Sequence, residues 1–428
     1  MASAGSLDPS PRKYPAALAL KRRANRGPAA APTSTTLQDI EAWLLGDAIG
    51  EDDLLSLFES LVWRLVAAGL PLDRASLHVG TLHPQLIGFA WNWERADGLC
   101  DETQVAAAAL ESESYRRNPI FRTLEYGEPF RGNTCDAETV SRYPLMADLA
   151  RQGIVEYMLM PLGGGAYHNA ATVATKHPDG FSDSEVAALH RVYTLFALHV
   201  GRHIMMRIAG NVLDTYLGKA AGGQVLSGSI KRGSGQAIRA IIWASDLRGF
   251  TDLADRLSGP HMTTLLNAYF ERMAGAVLAH GGEVLKFIGD GLLAVFPHNA
   301  FPSADEAAKA ALAAAEQALA DVDALSAAPT AELAAIAGWQ PLRSGIALHE
   351  GDVFFGNVGA AERLDFTVIG QAVNATSRVE ALSKTLGRSL LITEPVTKRL
   401  DRRLDDLGRH RLRGLSEPIG IFSPAAAI

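Results

Sequence analysis

Leu54, Phe58, Leu61 and Leu65 follow the three-and-four spacing that lines up apolar side chains on one side of a helix, and Leu70-Pro71 ends that run. The pattern then shortens. Segments 75–79, 86–93, 157–162 and 171–175 read as strands. Ser182 and Glu185 have capping-box spacing, so a helix is expected to begin there, with Val186, Leu189, Val192, Phe196 and Val200 carrying it to about Ile208. Residues 212–217 read as a short helical stretch. Residues 222–235 are rich in Gly, Ser and Lys but lack the Gly-Lys-Ser/Thr ending of a phosphate loop, so they read as a linker.

A second pattern starts at Ile238. Ile241-Ile242-Trp243-Ala244 has the character of a buried strand, and Ser245-Asp246-Leu247-Arg248-Gly249-Phe250-Thr251 follows at once, with a helix expected over 252–257. Residues 263–279 are periodic like a helix and stop at Gly281-Gly282. Residues 283–288 and 292–296 read as a strand pair, with Asp290-Gly291 as its two-residue turn. Asp246 and Asp290 therefore stand at strand ends that adjacent strands would bring side by side. Two carboxylates about 4 Å apart repel by roughly 4 kcal/mol at an effective dielectric of 20, and a divalent cation removes that penalty. The free backbone N–H groups of Gly249, Phe250 and Thr251, at a helix start, suit phosphate oxygens.

Composition narrows the class. The chain has 428 residues, room for two or three domains, and a net charge of -7, which speaks against a general nucleic-acid binder. The two cysteines, Cys100 and Cys135, show neither a disulfide framework nor metal-ligand spacing. His78, His83, His168, His177 and His190 are scattered and suggest no ligand set. The alanine-rich stretch 304–324 is broken by Asp305, Glu306, Lys309, Glu316 and Asp321, so it reads as an exposed amphipathic helix rather than a membrane span. Residues 1–35, with Lys21-Arg22-Arg23, lack the apolar core of a signal peptide and are expected to be a disordered tail. A cytoplasmic protein is expected.

Three blocks, SDLRGFT, GGEVLKFIGDGLLAVF and DFTVIGQAVNATSRVEALS, resemble the signature blocks of the class III adenylate/guanylate cyclase catalytic domain over about 238–424. The resemblance implies a ferredoxin-like α/β (α+β) domain working as a head-to-tail homodimer with two Mg²⁺ or Mn²⁺ ions per site. It implies that Asp246, Asp290 and the Leu247 carbonyl hold metal, that Lys286 and Thr367 read the purine, and that Asn374 and Arg378 act on the transition state. Arg343 and Arg413 would contact the triphosphate. Guanylate-specific members usually carry Glu where Lys286 stands, and members with Asp or Thr at the second position prefer ATP. Asn374 and Arg378, four apart on a helical stretch, project from one face. The order of elements over 36–207, with its FSDSE-to-helix ending, resembles a GAF-type sensor domain, which implies a regulatory unit with a small-molecule ligand not identifiable from the sequence.

The expected organisation is thus a tail (1–35), a GAF-like unit (36–207), a signalling helix and linker (208–237) and a cyclase domain (238–428). The expected activity is conversion of ATP to cyclic AMP and pyrophosphate, with ATP preferred by roughly ten- to a hundred-fold. Alternatives are a guanylate or dual-specificity cyclase and a nucleotide-binding regulator without turnover. Gly281-Gly282-Glu283-Val284 superficially resembles the GGDEF signature of diguanylate cyclases, but its acid pair is incomplete.

Overall fold

The chain divides into two units, each built on its own sheet, that meet in sequence at Val212/Leu213. A computed structural model describes residues 7–83, 86–163, 169–337, 339–415 and 417–425. His168 lies outside these residues.

The first unit is built on an antiparallel sheet of seven strands: β1 (Leu18–Ala24), β2 (Arg74–His83), β3 (Leu86–Glu94), β4 (Cys100–Ala106), β5 (Phe130–Asn133), β6 (Glu156–Leu162) and β7 (Asn169–Thr175), in the order β1-β4-β3-β2-β7-β6-β5. The helices Leu54–Ala67 and Asp183–Leu217 supply Phe58, Leu61, Leu65, Leu189, Val192 and Phe196 to a core with Leu77, Trp91, Trp93 and Val173. The capping box forms as expected: Glu185 N–H donates to Ser182 Oγ at 3.3 Å and Ser182 N–H to Glu185 Oε2 at 2.7 Å. That helix continues to Leu217 and absorbs the separate stretch expected at 212–217.

The expected tail is not all tail. Residues 18–24 form β1, paired to β4, and Gly27–Ala30 is a turn of 3-10 helix, while residues 1–6 lie outside the described residues. The cause lies in buried carboxylates elsewhere. Asp101, fully buried, accepts from Arg23 Nε at 2.6 Å and Tyr14 Oη at 2.7 Å, and buried Glu59 accepts from Arg26 Nε at 2.6 Å. An isolated buried carboxylate is expensive, and the basic residues of this segment neutralise these two. β4 went unrecognised for the same reason, since its buried Asp101, Glu102 and Thr103 break the apolar signature of a strand.

The second unit carries β8 (Gly235–Leu247), β9 (Glu283–Ile288), β10 (Gly291–Pro297), β11 (Ser344–Gly359), β12 (Leu364–Ile369), β13 (Leu390–Thr393), β14 (Leu404–His410) and β15 (Ile419–Pro424). The sheet order is β14-β15-β13-β11-β8-β10-β9, with β12 on β11. With helix Gly259–Ala279 between β8 and β9, and helix Ala304–Ala327 between β10 and β11, the run β11-β8-β10-β9 is a ferredoxin-like antiparallel arrangement. Strand β8 is central because both its faces are apolar. Ile241 and Trp243 meet Leu265, Tyr269, Met273 and Val277 of the first helix, while Ala240 and Ile242 face Val295, Val353 and Phe366. The helix Ala304–Ala327, expected to be exposed, buries Ala307, Ala311, Ala315, Ala318 and Val322 on one face. The expected linker 222–235 is in part the helix Lys219–Leu226.

Helix Gln371–Leu386 packs on β11 at Gly345. A Cβ there would stand 2.5 Å from Ser383 Oγ and 2.7 Å from Glu380 Oε1. Gly345→Ala is expected to push that helix off the sheet and to cost about 1–3 kcal/mol, read as a lower urea midpoint at unchanged slope. An unchanged midpoint would mean the contact is slack.

Candidate active site

Asp246 is the penultimate residue of β8, and Leu292 of β10 pairs with its neighbour Ser245. Ile288 pairs with Gly291, so the two-residue turn is Gly289-Asp290 rather than Asp290-Gly291. Gly289 has φ +63°, the positive value the first position of such a turn demands in its commonest glycine-led form. Asp290 is therefore a turn residue whose carboxyl reaches Asp246 across the β8–β10 pair. Burial, and then the hydrogen bond and charge of Asp246, raise the Asp290 pKa to about 6.

Lys384 Nζ donates to Asp246 Oδ2 at 2.9 Å, and burial together with the Asp246 charge pushes Glu380 up to about 6. Neither residue was foreseen, because their helix places them beside β8 only once it has packed on Gly345. Among the described residues no cluster of three or more His, Cys, Asp or Glu side chains has metal-holding geometry. What remains is two carboxylates that repel one another and nearby main-chain oxygen such as that of Leu247. Those are hard oxygen donors, which fit Mg²⁺ or Mn²⁺ better than a soft transition metal.

Gly249 precedes the short helix Phe250–Arg256, whose first turn has no side-chain cap. Thr251 is exposed there, and Phe250 packs against the core. The Arg343 carbonyl accepts from the Arg248 N–H at 2.8 Å, and the Arg343 side chain is exposed. Arg343, Arg378 and Arg413 form no ion pair with the described residues, unlike Arg239, Arg388, Arg399, Arg402 and Arg409 of the same unit. The Arg378 guanidinium lies against Gly414, 3.1 Å from where a Cβ would stand, so it shares a corner with the Arg413 loop. Asn374 is exposed one turn earlier on the same helix. Among the described residues neither Asn374 nor Arg378 bonds to Asp246 or Asp290.

Lys286 of β9 is ion-paired with Asp365 of β12. Two residues on, Thr367 is 6% exposed and its hydroxyl has no partner among the described residues. Period-2 alternation puts Asp365 and Thr367 on one side of β12, a signal that would have found Asp365 from the sequence. Two grooves of the unit, about 590 and 310 Å³, contain none of these side chains. Arg343, Asn374 and Arg413 are exposed, Asp246 and Arg378 are half-buried, and Leu247 and Thr367 are buried.

This fold and acid pair define an α/β domain suited to cation-assisted phosphate chemistry. Residues 237–421 match the family model of the adenylate and guanylate cyclase catalytic domain, and this part of the chain is a class III cyclase domain. The chain is 33% identical over 204 residues to an adenylate cyclase of Anabaena cylindrica, covering 46% of this chain and 39% of that protein. It is 31% identical over 188 residues to adenylate cyclase 1 of Rhizobium meliloti (strain 1021), covering 43% of this chain and 27% of that one. The chain thus spans well under half the length of these relatives. Among solved structures, the adenylyl cyclase CyaB from P. aeruginosa is 27% identical, covering 46% of this chain and 97% of that one at a TM-score of 0.41. The guanylyl cyclase Cya2 is also 27% identical, covering 45% and 95% at a TM-score of 0.38.

The raised pKa of Asp290 gives a pH dependence with a definite sign. Below about 6 Asp290 holds a proton that a cation must displace, so Mn²⁺ affinity should weaken as pH falls through 6, by up to about ten-fold per unit, and level off above it. Calorimetric titration with Mn²⁺ between pH 5 and 8 measures this. A flat affinity across that range would rule out Asp290 as a ligand.

Proposed function

We propose that this chain is an adenylate cyclase that converts ATP to 3′,5′-cyclic AMP and pyrophosphate, acting as a homodimer. The observation that carries the reading is the contact of the Asp246 and Asp290 carboxyls across β8 and β10. Asp246, Asp290 and the Leu247 carbonyl would hold two Mg²⁺ or Mn²⁺ ions, which supply Lewis-acid stabilisation of the attacking 3′ oxygen and the leaving pyrophosphate. The free amides at Gly249, Phe250 and Thr251, with Arg343 and Arg413, bind the triphosphate.

Base choice follows from donors and acceptors. The Lys286 ammonium donates to N1 of adenine. A hydroxyl such as that of Thr367 both donates and accepts, so alone it separates a 6-amino from a 6-oxo group poorly. Asp365 only accepts, which welcomes the adenine amino group and repels the guanine carbonyl oxygen, and its pairing with Lys286 keeps both groups at one place. Asn374 orients the ribose, and the Arg378 guanidinium meets the charge that develops at the α-phosphate. In the head-to-tail dimer one protomer offers Asp246 and Asp290, while the purine readers, Asn374 and Arg378 come from the other. That neither Asn374 nor Arg378 bonds to the acid pair of its own chain, among the described residues, supports this division. We assign residues 36–207 a GAF-like regulatory role exerted through the helix Asp183–Leu217 on a cytoplasmic enzyme. No described helix is long and apolar enough to cross a membrane.

Purified protein with Mn²⁺ should form cyclic AMP and pyrophosphate from ATP, and cyclic GMP from GTP at a rate lower by about ten- to a hundred-fold. Asp290→Ala should abolish both, and Arg378→Ala should lower kcat by about 10²–10³-fold. Chromatography of the products measures each rate. ATP bound without pyrophosphate release would replace this reading with that of a non-catalytic regulator.

A chain beginning at Gly235 should differ from the full protein in specific activity or in dimer dissociation constant, measured by product formation and analytical ultracentrifugation. Equality in both would remove the regulatory role from the first unit.

A further inference from the structure

Behind the acid pair, on the core side of β8, three groups form a chain that neither the motifs nor the chemistry above uses. Tyr269, on helix Gly259–Ala279, is fully buried, and its hydroxyl lies 2.8 Å from Ser344 Oγ. Ser344, the first residue of β11 and 2% exposed, donates in turn to the Asp246 carbonyl oxygen at 3.0 Å. A serine hydroxyl has one proton, and here it goes to that carbonyl. The phenol must then be the donor to Ser344, which sets the direction of the whole chain. Nothing in the sequence marks this arrangement, because its members come from three distant segments.

The peptide unit between Asp246 and Leu247 is held at both ends by this arrangement. Its oxygen is taken by Ser344 on one side of β8. Its N–H, that of Leu247, points the opposite way, as in any planar trans peptide, and faces the Asp290 carboxyl. Within an extended residue the N–H and C=O point to the same side, so the Leu247 carbonyl also turns toward Asp290. This peptide plane joins the two donors, so a change in ψ of Asp246 or φ of Leu247 would turn the Leu247 carbonyl relative to the Asp246 side chain.

We propose that Tyr269 and Ser344 are positioning residues of the cation site, acting through the Asp246–Leu247 peptide plane. They touch neither cation nor nucleotide. They hold the oxygen donors of Asp246 and Leu247 at a common orientation toward Asp290, so that bringing in a cation needs no backbone rearrangement. The inference rests on the cyclase reading of the acid pair.

Mn²⁺ titrated calorimetrically into the full-length chain tests it. Tyr269→Phe keeps the ring and removes only the hydroxyl, and Ser344→Ala removes one oxygen. Each should raise the Mn²⁺ dissociation constant roughly ten-fold, the usual scale for partners that orient metal ligands. The double variant should be no worse than the poorer single one, because both act on one chain of bonds. Ser344→Thr, which restores a hydroxyl, should recover most of the affinity. A purely structural role would instead reduce the number of binding-competent molecules while leaving the dissociation constant of the rest unchanged, and that result overturns the proposal. Should Ser344→Ala fold poorly, Tyr269→Phe decides alone. Asp290→Asn separates the two levels: if it binds Mn²⁺ like the wild type, the reading of the acid pair as the cation site falls and this inference with it. If it loses binding while Tyr269→Phe keeps the wild-type constant, only the positioning role is lost.

Discussion

The second unit turns on a repulsion that its own backbone enforces. Pairing of β8 with β10 carries the Asp246 and Asp290 carboxyls into contact, and burial raises the pKa of Asp290 to about 6 instead of letting the pair separate into solvent. Such a contact costs folding free energy in the absence of a cation. The fold tolerates it because the apolar faces of β8 lie between two packed layers and hold the strand ends in register. Lys384 supplies part of the compensation from the opposite side, as a tethered ammonium on Asp246.

Close packing of helix Gln371–Leu386 on Gly345 links that compensation to Asn374 and Arg378. One end of the helix carries Lys384 to the acid pair of its own chain, while Asn374 and Arg378, nearer the other end, bond to neither acid. Arg378 and Lys384 stand six positions apart on the helix, a rise of about 9 Å. A single rigid element thus serves two places, and a dimeric cyclase would have its two sites joined by it.

Charge is handled differently in the first unit. There Asp101 and Glu59 are buried and neutralised by arginines from a segment that sequence composition alone marks as a tail. Burial of these groups is possible only with their partners in place, so β1 and the basic residues around it belong to the sheet rather than trailing from it. Removing one member of such a pair leaves an uncompensated buried charge, which makes this segment more than a decoration on the sheet edge.

Much of the second unit was legible in the sequence. A continuous apolar run identified β8, the strand–turn–strand pattern around Asp290-Gly291 identified β9 and β10, and the spacing of Asn374 and Arg378 placed them on one helix. The signature blocks pointed to the acids and to Lys286 and Thr367. Elsewhere local pattern failed. β1 and β4 were missed because β4 buries Asp101, Glu102 and Thr103, whose acids are paired by the arginines of β1, and the extent of helix Ala304–Ala327 that is buried was missed because alanine does not announce its partners. Tertiary structure alone decided that the turn is Gly289-Asp290, that Asp365 meets Lys286, that Lys384 meets Asp246, and that Tyr269 and Ser344 stand behind the Asp246 carbonyl. Residue type and spacing specify which groups can bind a cation or read a base. Their mutual contacts depend on strand register and helix docking, which are set by packing among residues far apart in the chain.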